Sequence, residues 1–196
     1  MNKANFRIFS LGIFIFLFVL PMTGQSNKGA TLYFRNGTDI KGFAIITNKQ
    51  KIKFRKELNS KNIVYTNKEI DSIRIKVNKW PGYEINTYHY KTFGKKNKPI
   101  LLKPITYGKV TLYLHKSLDR HSGVYNNKNY YVSKENMDSV THLGRIGPLK
   151  LFDKNIINEA IEYFKDCPEL VKKIQAREYK KRDIVEIVEY YNEHCE

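Results

Sequence analysis

Residues 32–44, LYFRNGTDIKGFA, predict how the chain begins to fold. Asn36-Gly37 separates two runs rich in β-branched and aromatic residues, 31–34 and 38–46. An Asn-Gly pair between two such runs is the strongest short-range hairpin signal, because a type I′ turn needs positive φ at both central positions. We therefore expect two antiparallel strands joined by a type I′ turn.

Strand patterns continue from this hairpin to about residue 143. Ile52 and Phe54 alternate with basic residues, and Ile73, Ile75 and Val77 do the same. Because side chains alternate between the two sides of a strand, each strand has one core side and one basic side. Further strands are predicted at 83–91, 100–103, 109–115, 129–133 and 138–143. The strand, Asn-Gly turn and strand containing Gly42 resemble a small Sm-like or SH3-like barrel, with paired sheets as the alternative.

The period changes from two to 3.6 at Gly144, which begins a linker containing Gly147 and Pro148. Three helices are expected after it: one with Asp153 as its cap, a second at 168–177, and a third starting at Asp183, where Glu186 completes a capping-box pair. The predicted class is α+β, with an antiparallel β-rich body at 25–143, a sub-boundary near 80–82, and a C-terminal three-helix unit at 144–196.

Residues 1–24 have the pattern of a secretory signal peptide. Lys3 and Arg7 precede an apolar run of 13 residues, 8–20, and Pro21 follows it. A membrane-spanning helix needs about 20 apolar residues, so cleavage before Gln25 is preferred to a retained anchor. The mature chain would be exported, either periplasmic or secreted, and would contain no spanning helix.

Composition places the 196-residue chain among folded, basic proteins. It is 41% hydrophobic, which excludes a disordered chain despite a formal charge of +16. Residues 1–24 hold two basic and no acidic side chains, so the mature chain would carry +14. Charge of this sign favours anionic polymers, lipid headgroups, nucleic acid or acidic proteins, and it can also serve solubility alone.

Cys167 and Cys195 are the two cysteines of the chain. An oxidising compartment favours a disulfide between them. Cys167 precedes the second predicted helix and Cys195 ends the third, so an antiparallel helix pair would bring them together. Free structural thiols are the alternative.

A basic and aromatic surface is the main candidate binding site. Basic side chains could hold an anionic group while aromatic rings stack on sugars or bases. The alternative is that the tyrosines only fill cross-strand pairs. The residues assigned to this surface are Lys51, Lys53, Arg55, Arg74, Lys76, Tyr88, Tyr90 and Lys91.

No catalytic motif occurs in the sequence: there is no nucleophile elbow, phosphate-binding glycine loop or zinc-protease helix. His115, Asp119 and His121 form a local cluster of metal-ligating types, but their spacing follows no established zinc pattern. We therefore assign no catalytic residues, no metal and no cofactor.

Several segments together resemble a family of small exported proteins of Bacteroidetes-type bacteria to which no activity is assigned. The resemblance implies a signal peptide, a β-rich body and a helical tail, and it carries no catalytic residues. Its segments are the signal peptide ending at Gly24-Gln25, LYFRNGTDIKGFA from Leu32, YYVSKENMDSVTHLG from Tyr130, YFKDCPELVKKI from Tyr163, and KKRDIVEIVEYYNEHC ending at Cys195.

The function expected from these observations is that of a non-catalytic module of the cell envelope that binds a partner protein or an anionic polymer. The alternative is a hydrolase acting on an envelope or extracellular polymer. A cleft with histidine and carboxylate side chains within hydrogen-bond reach would favour the hydrolase.

Overall fold

The alternating strand patterns form one ten-stranded sheet, which three helices follow. The computed structural model describes residues 28–117, 127–135, 137–147 and 156–195. The strand order is β10-β9-β8-β7-β6-β5-β1-β2-β3-β4, with a further pairing between β10 and β6. The expected α+β class and the C-terminal helices are confirmed.

The first five strands form one unit, in which β5 returns to pair with β1. β1 therefore lies between β5 and β2. Leu32, Phe54 and Ile73 lie at the centre of its core. The strands are β1 (Lys28–Phe34), β2 (Asp39–Ile46), β3 (Ile52–Arg55), β4 (Ile63–Tyr65) and β5 (Ile70–Lys79).

The β1–β2 hairpin occurs where the sequence places it, but its turn is not type I′. Gly37 has φ +85° and Asn36 does not have a positive φ. Gly37 N–H donates to the Phe34 carbonyl and Phe34 N–H donates to the Thr38 carbonyl, so the loop has three residues. This geometry needs one left-handed residue rather than two. The Asn36 side chain is then free to accept hydrogen bonds from the N–H and hydroxyl of Thr38.

Gly42 allows β2 and β3 to approach closely. A Cβ atom at residue 42 would lie 2.4 Å from the Arg55 carbonyl oxygen and 2.5 Å from the Phe54 ring. A side chain at this position would therefore push Phe54 out of the core.

The second five strands form a meander that closes on itself. Thr92 and Phe93 of β6 pair with Ser139 and Val140 of β10 in parallel. Successive meander strands alternate in direction, so the first and fifth run the same way and their closing pair must be parallel. The strands are β6 (Gly82–Phe93), β7 (Lys98–Thr106), β8 (Val110–Ser117), β9 (Asn127–Lys134) and β10 (Ser139–Ile146).

The expected sub-boundary near residues 80–82 falls in the turn between β5 and β6. The Trp80-Pro81 peptide bond is cis in this turn. β5 and β6 pair continuously from Ser72↔His89 to Lys79↔Gly82, so the sheet runs through this point.

The three helices cover the outer side of β8, β9 and β10. They are α1 (Ile156–Tyr163), α2 (Pro168–Gln175) and α3 (Ile184–His194). Phe164 is fully buried among them, together with Leu112 of β8 and Val132 of β9. Within the described ranges, no helix has the length and apolar character needed to cross a membrane.

The helix ends differ in part from expectation. Asp183 precedes α3 without capping it through its side chain. Its carboxylate instead accepts a hydrogen bond from the Lys180 N–H at 2.8 Å, which closes the preceding turn. The capping-box expectation is therefore wrong. The expected cap of α1, Asp153, lies outside the described residues.

The predicted disulfide is present. Cys167 and Cys195 are joined, with their Cα atoms 5.6 Å apart. The bond connects the residue before α2 to the residue after α3, and both half-cystines are buried against the helix core.

Candidate functional site

The structure brings four of the five predicted basic residues of the first unit to one side of the sheet. Directly paired residues of antiparallel strands project to the same side. The pairs Phe43↔Arg55, Ile45↔Lys53 and Thr31↔Arg74 therefore place these side chains together, opposite the core. We call this surface the basic face; it consists of Lys41, Lys53, Arg55, Arg74 and Lys76. Lys51 is exposed in the turn before β3, outside the paired positions that define this side.

Aromatic side chains lie among these cations. The Arg74 guanidinium carbon is 5.2 Å from the centroid of the Tyr33 ring, and the Lys76 ammonium is 3.8 Å from that of Tyr83. Such contacts hold a cation in place while leaving its charge unneutralised. Trp80 is 94% exposed at the nearby hairpin tip. The basic face therefore combines positioned charge with exposed rings.

Three residues assigned to the binding surface lie elsewhere. Tyr88 pairs with Ile73 and so projects to the core side of the sheet. Tyr90 is buried, and its hydroxyl donates to the Gln50 carbonyl at 2.6 Å. The Lys91 ammonium donates to the Met137 carbonyl at 2.7 Å. The set predicted as one surface is therefore divided between two sides.

A cavity lies on the side opposite the basic face, where the two units meet. Its volume is about 650 Å³, which is within the range of small-molecule sites. One wall comes from the end of β2 and the β2–β3 turn, with Ile46, Thr47, Asn48 and Gln50. Parts of β6, β7 and β8 form the other walls. Both β units therefore contribute to it.

Gln50 holds the turn against the second unit. Its backbone has φ +60°, a left-handed conformation that non-glycine residues rarely adopt. Its side-chain oxygen accepts from the Leu101 N–H at 2.9 Å, and its amide nitrogen is 3.2 Å from His115 Nε2. With the Tyr90 hydroxyl on its carbonyl, Gln50 contacts three separate strands. These three contacts hold the Gln50 backbone at its unfavourable φ of +60°, because a strained conformation persists only where its surroundings fix it.

The ionisable groups of the cavity have defined charge states. Lys103 donates to Glu84 at 2.9 Å, and this hydrogen bond holds the pKa of the carboxyl below its ordinary value. Burial lowers the pKa of His115 and raises the pKa of Tyr88, the latter with a contribution from the Glu84 charge. Near neutral pH the cavity wall therefore holds a carboxylate–ammonium pair, a neutral imidazole and a neutral phenol, together with the exposed Lys116 side chain.

Asn86 lies on the cavity wall with an unsatisfied side chain. The residue is 9% exposed. Its side-chain oxygen is buried and has no hydrogen-bond partner. A buried acceptor without a donor is costly and rare in folded proteins, so this atom needs an explanation.

Among the described residues, the cavity does not assemble the acid–base pair that hydrolysis would use. His115 contacts Gln50 and Glu84 bonds to Lys103. In the described ranges, no group of three or more His, Cys, Asp and Glu side chains could hold a metal ion. His115 lines the cavity, whereas Asp119 and His121 lie outside the described residues.

Gln50, Asn86 and Lys103 line the cavity but are not among the residues predicted from the sequence. One signal for them is visible in β6, where Glu84, Asn86 and Tyr88 occupy alternate positions in line with the buried Tyr90. Polar residues at inward positions of a strand indicate an internal polar site. No comparable signal marks Gln50, whose role depends on a contact between the two units.

No family model, no curated protein and no solved structure matches the chain.

Proposed function

We propose that the protein is an exported, non-catalytic binding module of the cell envelope that holds an anionic polymer on its basic face. Export remains part of this proposal, as does membership of the exported family that the sequence resembles. The disulfide supports export, because disulfides persist mainly in oxidising compartments.

The proposal depends on one observation: the cations of the basic face have no acidic partners among the described residues. None of the five cations of the basic face forms an ion pair with any residue in the described part of the chain. Among the paired strand positions on this side, Asp39 at the start of β2 is the single acidic residue. Their charge is therefore available to a partner.

The spacing of the cations suits an extended polyanion. Lys53 and Arg55 lie two residues apart on β3, and Arg74 and Lys76 do so on β5. Strands are about 4.8 Å apart, so these two rows, separated by β2 and β1, are about 14 Å apart. A chain of phosphate, sulfate or carboxylate groups can contact several of these cations at once. Binding of this kind gains from release of counterions and weakens as salt rises.

A partner protein and hydrolysis of a polymer are the other functions that the sequence suggested. The hydrolase needs a histidine and a carboxylate within hydrogen-bond reach, and the described cavity residues are paired in a different way. A cationic surface without internal ion pairs favours the polymer.

Heparin affinity chromatography tests the proposal. The variant Lys53→Gln/Arg74→Gln/Lys76→Gln should elute at clearly lower salt than the unchanged protein. Its matched control, Lys172→Gln/Lys180→Gln/Lys181→Gln, removes the same charge from the helical unit and should elute close to the unchanged protein. Equal shifts in the two variants would show that only net charge matters. Absence of retention at low salt would also refute the proposal, because the Debye length then exceeds about 10 Å and attraction is strongest.

Export is tested separately by mass spectrometry of protein from the native host. The mature chain should begin within about two residues of Gln25, the predicted cleavage point. An intact N-terminus in the membrane fraction would contradict it.

A further inference from the structure

We propose that the cavity between the β2–β3 turn and strands β6, β7 and β8 is a second binding site, which takes a neutral polyhydroxylated ligand such as a mono- or disaccharide. It lies on the side of the sheet opposite the basic face and has different chemistry.

The cavity has the size and lining of a small-molecule site. Its volume of about 650 Å³ lies in the middle of the range for such sites. Ile46, Leu101 and Leu114 supply apolar surface, and the Tyr88 ring adds an aromatic wall. The carbon-bound faces of a sugar ring can pack against such surface while its hydroxyls reach polar groups.

Asn86 supplies the strongest indication of a ligand. It lines the cavity, and its buried oxygen lacks a donor. Rotation of the amide exchanges its oxygen and nitrogen, so either end can face the ligand. A hydroxyl group both donates and accepts, and it can therefore satisfy the amide in either orientation.

The charges of the cavity favour a neutral ligand. Glu84 and Lys103 neutralise each other at 2.9 Å, so an anion or a cation would have to compete with that pair. Burial lowers the pKa of His115 and keeps its ring uncharged. Lys116 also lines the cavity, but its side chain is exposed, so solvent and salt screen its charge.

Other polar groups on the wall have unused capacity. The Ser117 hydroxyl accepts a hydrogen bond from the Asn129 amide at 2.9 Å, which leaves its own proton available. The Thr47 hydroxyl donates to the Lys51 carbonyl and accepts from the Lys51 N–H. Its remaining lone pair can accept a ligand hydroxyl. Gln50 fixes the position of this wall in advance, which lowers the entropic cost of binding.

NMR titration of the purified protein tests the site. The probes are glucose, N-acetylglucosamine, maltose, cellobiose and diacetylchitobiose, with inorganic phosphate and glycine as charged comparisons. At least one sugar should give saturable shifts at the amides of Asn86, Leu101 and His115, with a Kd of about 1 mM or tighter.

Asn86→Leu distinguishes a binding role from a structural one. Replacing an unpaired buried polar group with an apolar group of similar shape should leave the melting temperature unchanged or raise it. Sugar affinity should fall at least about tenfold. Thr106→Val is the matched control, because the buried Thr106 hydroxyl also lacks a partner but lies outside the cavity lining. It should leave sugar affinity unchanged.

Three results would overturn the proposal. They are absence of cavity shifts with every sugar, unchanged sugar affinity in Asn86→Leu, and saturable cavity binding of phosphate or glycine in place of the sugars. The basic-face variant should bind the sugar normally, so the two proposals stand or fall separately.

Discussion

The outer sides of the two β units differ in what covers them. In the second unit, Val110, Leu112 and Val132 point outward and lie beneath the three helices. In the first unit, the outward positions include Lys53 and Arg74, and no helix of the described chain covers them. In both units the covered or exposed state of a side follows from the residue types at its outward positions: apolar in the second unit and basic in the first.

The covered side of the second unit contributes mainly to stability, whereas the basic face of the first unit is available for binding. Apolar outward residues require a cover, and the helices with their disulfide supply it. Charged outward residues need none and remain accessible. Changes under the helices should therefore reduce stability, whereas changes on the basic face should reduce binding.

The largest effect is expected at the centre of the covered side. Phe164 is fully buried, and its ring lies 4.8 Å from that of Tyr191 between centroids. Phe164→Ala should lower the free energy of unfolding by about 3–5 kcal/mol, because it leaves a cavity and loses apolar burial. Urea denaturation measures the change. Lys53→Ala on the basic face is the control and should alter stability by no more than about 0.5 kcal/mol. Similar losses in the two variants would invalidate the comparison.

Removal of the disulfide should weaken the cover and leave the first unit intact. The bond closes a loop with a sequence separation of 28. In the chain-entropy model Cys167→Ser/Cys195→Ser should cost roughly 3.5 kcal/mol. Hydrogen exchange should accelerate in α2 and α3, while amides of β1 and β5 keep their protection. Uniform acceleration along the whole chain would show that the two units unfold together.

Gln50 links the two units, so its loss should have an intermediate effect. Gln50→Ala leaves the Leu101 N–H without its partner and should cost about 1–3 kcal/mol in urea denaturation. Gln50→Gly loses the same bond but relieves the φ of +60°, so it should be about 1 kcal/mol more stable than the alanine variant. The same two substitutions at Asn97, which has φ +47° in an exposed turn, measure the backbone effect alone. Equal stability of the Ala and Gly variants at position 50 would exclude backbone strain there.

The smallest effect concerns pH. Partial burial acts to raise the pKa of Asp166, but hydrogen bonds from Lys134 and Tyr191 outweigh it and hold this pKa below the ordinary 3.8. The carboxylate therefore stabilises the fold above that value, and the contribution is lost as pH falls through the lower, folded-state pKa.

Asp166→Asn should accordingly cost about 1 kcal/mol or less at neutral pH, since the group is partly exposed. Urea midpoints at neutral and at strongly acidic pH measure the change, and the two proteins should converge in acid. Glu162→Gln, at an exposed ion pair with Lys165, provides the comparison. If Asp166→Asn lowers the urea midpoint by the same amount at both pH values, the ionised Asp166 carboxylate is not the source of the stabilisation.

The sequence was sufficient for features that depend on local periodicity. Alternation and helical stripes predict the strands and helices, and an expected oxidising compartment predicts the Cys167–Cys195 bond. Lys53, Arg55 and Arg74 could be grouped because alternation alone places basic residues of neighbouring strands on one side.

The register between neighbouring strands could not be predicted from the sequence. Tyr88 and Tyr90 were grouped with the basic residues, but the β5–β6 pairing puts Tyr88 opposite Ile73 on the core side. A one-residue shift in register reverses this outcome, and the shift depends on the conformation of the turn. The cavity depends on Gln50 of one unit meeting Leu101 and His115 of the other, a contact between residues far apart in the chain.

The bond between Cys167 and Cys195 also determines how the chain responds to mechanical force. A pull on the C-terminal side of residue 195 passes through the sulfur atoms to residue 167 and leaves the helices between them without tension. The segment between the two cysteines, with a sequence separation of 28, corresponds to roughly 95 Å of contour length at about 3.4 Å per residue, and the disulfide prevents its extension. Single-molecule pulling should release this length only after reduction, so the oxidised chain would transmit load to the β body without unravelling its last two helices.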